Sequence, residues 1–185
     1  ARLRMWRWLA ITAVVFAAIG ARFGTSSVVV PLLVLGAGLV AISFVDLELL
    51  RIPDRITFPA LGLCAVSMVV ASIDHSATDA LRGAVVGAVT YFVLLLMAHL
   101  VSPRGMGFGD VKLALLMGLV LGWLGWEPGE GLYGPLRLVL QALVLGCLFG
   151  VVFGLGHQLI TRRRGEFPFG PSLALGCLVV VLSTA

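Results

Sequence analysis

Charged residues are scarce in this chain: 13 Lys and Arg with 9 Asp and Glu make up 12% of 185 residues, against 60% hydrophobic. With a mean hydropathy of +1.10, that balance excludes an ordinary soluble domain and fits a helical protein that crosses a bilayer several times. The formal net charge is +4, but the basic residues are scattered at the ends of apolar runs, so no nucleic-acid face is expected. Cysteine is sparse too. Cys64, Cys147 and Cys177 stand singly in apolar runs, with neither the paired spacing of a zinc site nor an even disulfide framework, so buried free thiols are expected. His75, His99 and His157 are isolated and form no H-E-x-x-H, so no metal is expected. A G-x-S-x-G elbow, a P-loop and a dinucleotide fingerprint are all missing, and Ser102 near His99 has no third orienting residue in view. No cofactor is expected.

What is present is apolar sequence in long runs, at about 6–21, 27–45, 56–73, 80–101, 111–126, 137–160 and 169–184. They predict an all-α, polytopic transmembrane bundle of about seven helices, forming one membrane-embedded domain over 1–185. The chain starts at Ala rather than Met, which leaves a preceding segment open. Arg2, Arg4 and Arg7 before an apolar run resemble a secretory signal, but the further spans favour a first transmembrane helix. Alternate connections carry ten basic residues on one side (Arg2, Arg4, Arg7, Arg51, Arg55, Arg104, Lys112, Arg162, Arg163, Arg164) and three on the other (Arg22, Arg82, Arg137). The positive-inside rule then puts the N-terminus in the cytoplasm and the C-terminus outside. Trp6 and Trp8 suit an inner aromatic belt, Trp123 and Trp126 an outer one. Gly83 and Gly87, Gly118 and Gly122, and Gly146, Gly150 and Gly154 predict close helix packing.

The least membrane-like stretch at membrane depth is Gly105-Met106-Gly107-Phe108-Gly109-Asp110-Val111-Lys112. Its alternating glycines predict positive φ angles and close approach by another chain, in a shaped loop or frayed helix start. Asp110 then either caps the following helix or is a working carboxylate held at its N-terminus. A second acid, Asp46, arrives while the preceding run is still apolar, at a helix end, where the dipole disfavours it and something else must hold it. Asp54, after Pro53 and beside Arg55, reads as an N-cap, and capping and anchoring account for both charges. The outer turn with Asp74, His75 and Asp79 is assigned no chemistry.

Asp46 and Asp110 lie 64 positions apart with two crossings between them, so both return to the same face and can meet. Two carboxylates sharing a site do not both ionise readily; one stays protonated while its partner deprotonates a water for attack on a carbonyl. Such a pair titrates as a unit, and sequence gives neither member a fixed role.

These residues resemble the type IV prepilin peptidases, grouped with the archaeal preflagellin peptidases among Gly-x-Gly-Asp membrane aspartyl proteases. The resemblance rests on Gly105 to Leu113, on Asp46-Leu47-Glu48 through Pro53-Asp54-Arg55-Ile56-Thr57, and on Phe167-Pro168-Phe169-Gly170-Pro171 at the start of the last helix, three segments in order over most of the chain. It implies Asp46 and Asp110 as the catalytic pair, with Gly105, Gly107, Gly109, Lys112 and Asp54 as motif support. Presenilin-like proteases share Gly-x-Gly-Asp, but their tyrosine-aspartate and proline-alanine-leucine motifs are missing here. The implied partners are the lipid bilayer and a pilin-like precursor, whose short basic leader is cleaved at the cytoplasmic face of the inner membrane. Many bacterial members also methylate the new pilin N-terminus and carry a domain with paired cysteines; this sequence shows no such cysteines, so the expectation is the peptidase without that domain. The rival reading is a small transporter or channel component using Asp46 and Asp110 as a cation or proton site. A third is an inactive scaffold for pilus assembly that retains the acids.

Overall fold

A computed structural model describes residues 2–24, 26–103, 106–161 and 168–184. Among them are seven helices and no strand: α1 (Arg2–Phe23), α2 (Val29–Leu49), α3 (Asp54–Asp74), α4 (Ala80–Val101), α5 (Phe108–Leu124), α6 (Tyr133–Thr161) and α7 (Gly170–Ser183). Helix is the only way to span hydrocarbon with every backbone bond made inside one segment, short of a closed barrel. Each apolar run of the sequence became one helix. The readings made at Arg104, Gly105, Arg162 to Arg164 and Phe167 lie outside the described residues.

Among the described residues five helices are long and apolar enough to cross a membrane: α1, α2, α3, α4 and α6. The chain is a multi-pass membrane protein. With 17 and 14 residues, α5 and α7 are shorter, at 1.5 Å per residue only about 25 and 21 Å. They lie inside. Val111, Leu113, Ala114, Leu116, Met117, Val120 and Leu121 of α5 are all fully buried, as are Leu173, Cys177 and Val181 of α7. The outermost helix is α1, in whose spanning segment Ile19 alone is fully buried.

The closest pairing is α4 on α5. A Cβ built on Gly83 or Gly87 runs into the backbone of Gly122 or Gly118, and the reverse holds for the partners. Small residues therefore bring these two backbones together. Gly146 and Gly150 also pack closely, against Leu173 and the Phe169 ring, but Gly154 faces open space and takes no part in packing. Trp126 is half-buried against Gly83. Trp123 departs from the aromatic-belt expectation: it is buried, and its Nε1 donates to Ser72 Oγ at 2.8 Å. An indole N–H buried in a bundle needs an acceptor, and Ser72 on α3 supplies it. At the same end, Ser27 Oγ donates to Asp74 Oδ2 at 2.7 Å and lies 3.1 Å from His75 Nε2, joining two connections.

Candidate active site

The ends of α2 and α4 and the beginnings of α3, α5 and α7 meet at the opposite end of the bundle, the acid end. There α2 stops because Leu50 takes a left-handed conformation (φ 51°, ψ 38°) and returns its N–H to the Asp46 carbonyl. Asp46 is left in the last turn with only 6% of its surface exposed. The C-terminus of its own helix repels a carboxylate, and a foreign N-terminus receives it: the Gly170 N–H, first in α7, donates to Asp46 Oδ2 at 3.2 Å. A Cβ on Gly170 would stand 2.7 Å from that same oxygen, so any larger residue there displaces the carboxylate from its donor.

Asp110 is the third residue of α5, after the N-cap Gly107. Its carboxylate faces the Gly107 backbone N–H, the reach-back of a capping box in which the N-cap itself has no side chain to return. Only one oxygen is used in this way. Oδ1 is buried without a hydrogen-bond partner, in a residue 5% exposed. Capping and availability, set against each other in the sequence, are shared between the two oxygens of one carboxylate. Asp46 lies near enough for its charge to act on Asp110.

The glycines do not work as the sequence suggested. Gly107 has φ −69° and ψ 146°, ordinary extended backbone, and Gly109 is already helical. Among the described glycines, positive φ occurs only at Gly24, Gly129 and Gly131. The close approach, however, is real at Gly109, where an added Cβ would stand 2.8 Å from Cβ of Ile52.

Asp54 is not the N-cap of α3. Pro53 holds that position, and Asp54, the first helical residue, turns its carboxylate to Lys112 Nζ at 2.8 and 2.7 Å. The ammonium also lies 5.8 and 5.5 Å from the Phe58 and Phe108 ring centres. With side chains 26% and 51% exposed, such a pair contributes about 0.2–1 kcal/mol. Its value is geometric, since it ties the start of α3 to the start of α5. On the other flank, His99 Nδ1 lies 2.8 Å from the Met106 carbonyl and its ring packs on Phe108. Sequence reasoning passed over His99 and Ile52 and took Gly170 only as part of a helix opening. The phenylalanine-glycine-proline run was the one signal that could have pointed to Gly170. Among the described residues, no group of three or more His, Cys, Asp or Glu could hold a metal ion.

Fold and site thus define a polytopic helical membrane protein with two buried carboxylates from separate helices at one end of its bundle. The model of the type IV leader peptidase family matches residues 33–155, more than half of the chain, and the chain belongs to that family. It is 28% identical, over 93% of its length, to the prepilin leader peptidase/N-methyltransferase of Bacillus subtilis, of which it covers 63%. Likeness to the proteins of the same name from Pseudomonas putida (34% identity over 87% of this chain and 52% of the relative) and Pseudomonas aeruginosa (33% over 82% and 48%) is similar. The chain spans roughly half to three-fifths of the length of these curated relatives. No solved structure matches it significantly.

Proposed function

We propose that the chain is an aspartyl endopeptidase that removes the short basic leader from pilin-like precursors, with Asp46 and Asp110 as the catalytic pair. Of the two activities named for the relatives, we assign it the peptidase. The observation that carries this reading is the convergence of two buried acids, one received by the Gly170 N–H and the other keeping an oxygen without a protein partner.

In the proposed mechanism the pair shares one proton. The ionised member takes a proton from a water, whose oxygen bonds to the scissile carbonyl carbon. The protonated member hydrogen-bonds the developing oxyanion. Collapse of the tetrahedral intermediate breaks the C–N bond, and the leaving amine takes up the proton. Gly170 lets Asp46 reach its donor, Gly109 lets Ile52 pack against the start of α5, and the Lys112–Asp54 pair keeps α3 and α5 in register. The excess of basic residues in the connections of this end supports a cytoplasmic site on the inner membrane. Asp46, Glu48, Asp54 and Asp110 give its mouth a negative patch for a positive leader, partly offset by Lys112 and the other basic side chains nearby.

A cation or proton carrier built on the same acids needs polar groups leading to the far face. Among the described residues the other buried polar side chains are Thr57, Ser72, Ser172 and the Tyr91 phenol, all uncharged, and Ser72 is committed to the Trp123 indole. The peptidase is therefore the better reading.

Co-expression with a pilin precursor, followed by mass, tests it. Wild type is expected to remove the leader, and Asp46→Asn and Asp110→Asn to lose cleavage at unchanged membrane levels. Cleavage surviving either substitution overturns the assignment of that acid.

A further inference from the structure

Between Asp46 and Asp54 the chain makes a short connection whose apolar residues point in different directions. Leu49 and Leu50 are exposed, as expected beside lipid, whereas Ile52 turns inward and is half-buried. Three features impose that turn. Leu50 is left-handed, an arrangement costly for a side chain with a Cβ. Pro53 fixes its own φ and keeps Ile52 out of the helical region. Asp54, next along, is clamped to Lys112 on α5.

The inward side chain touches both halves of the site. Its root lies on Gly109: a Cβ there would stand 2.8 Å from Ile52 Cβ and 3.3 Å from Cγ1. Its tip lies on Gly170, where Cδ1 would be 3.3 Å from a Cβ and shares that space with the Asp46 carboxylate. Gly109 immediately precedes Asp110 in the chain, and Gly170 supplies the N–H that receives Asp46. One isoleucine therefore reaches from the backbone that carries one acid to the backbone that holds the other. β-Branching makes it stiff at χ1, as a spacer must be.

We infer that Ile52 is a positioning residue, a wedge between α5 and α7 that sets the separation of Asp46 and Asp110. This rests on the peptidase reading above and adds to it the element that determines the spacing of the pair. The wedge acts on the acids and not on the substrate, so it governs turnover and leaves binding alone.

Steady-state cleavage of a precursor by purified full-length protein tests it in the series Ile52→Leu, Ile52→Val and Ile52→Ala. Misplacement by about 1 Å costs up to ~100-fold in rate. Ile52→Ala is expected to lower kcat at least about tenfold with KM within about twofold of wild type. Ile52→Val, which lacks only the Cδ1 that reaches Gly170, is expected to fall between, and Ile52→Leu, which restores the reach, to recover most of the rate. An unchanged kcat in Ile52→Ala, or a raised KM at unchanged kcat, overturns the inference, the latter because it makes Ile52 a wall of the substrate site. If Ile52→Ala does not accumulate in membranes, Ile52→Val decides on the same criteria. Asp46→Asn and Asp110→Asn are run alongside: cleavage that persists in them is a failure of the acid pair, whereas their loss with a fully active Ile52→Ala is a failure of the wedge alone.

Discussion

Along the α4–α5 seam the space of each missing glycine side chain is taken by the backbone of the partner helix, whereas at the acid end it is taken by Ile52 or by a carboxylate. One arrangement brings two helices together; the other brings chemical groups together. The same residue type thus has two physical roles, and the roles differ in what a single methyl group disturbs. In the seam it must push a whole helix away. At Gly170 it need only push a carboxylate, and at Gly109 the root of Ile52 in a short connection, so the damage falls on the site while the bundle stays folded.

The largest expected effect follows at Gly170. In Gly170→Ala the new Cβ collides with the carboxylate that the Gly170 N–H receives, and cleavage should fall about 100-fold while thermal unfolding in detergent stays near wild type. Equal losses of stability and activity would erase the distinction drawn here. Next is the seam itself, where Gly122→Ala should lower unfolding stability by about 1–3 kcal/mol, the usual range for overpacking, and reduce activity only through the amount of folded protein. Gly109→Ala should be intermediate, reducing kcat about tenfold by displacing Ile52. The smallest change belongs to Gly107→Ala, which meets nothing nearer than Asp110 Oδ2 at 3.6 Å and needs no special φ. Its activity should stay within about twofold, and a large loss would show a demand on Gly107 that its backbone does not reveal.

Much of this was legible before any coordinates. Seven apolar runs gave seven helices, because hydrocarbon leaves the backbone so few ways to satisfy itself. Parity of crossings was enough to bring Asp46 and Asp110 to one end. What hydropathy could not convey was lateral order. An apolar helix reads the same whether it faces lipid or protein, so nothing distinguished α5, which is central, from α1, which is peripheral, and Trp123 was placed in a belt when it lies inside. The partners of the polar residues were hidden for a related reason. Asp54 can cap α3 by local rules, but Pro53 takes the N-cap position and the Asp54 carboxylate turns to the Lys112 ammonium on a neighbouring helix. Asp46 carried an unexplained cost in the sequence, and that anomaly correctly signalled a distant donor, although it could not name Gly170.

The 124 positions between Asp46 and its donor also bear on how the protein is made. A growing chain that has emerged through α5 already possesses both acids, but the amide that receives Asp46 belongs to the last helix. Until that helix arrives, Asp46 lacks the donor that offsets the unfavourable field at the end of α2, and Ile52 has only one of its two supports. The site is therefore completed only once α7 has been made, and chains that stop before it carry the acids without the framework that fixes them.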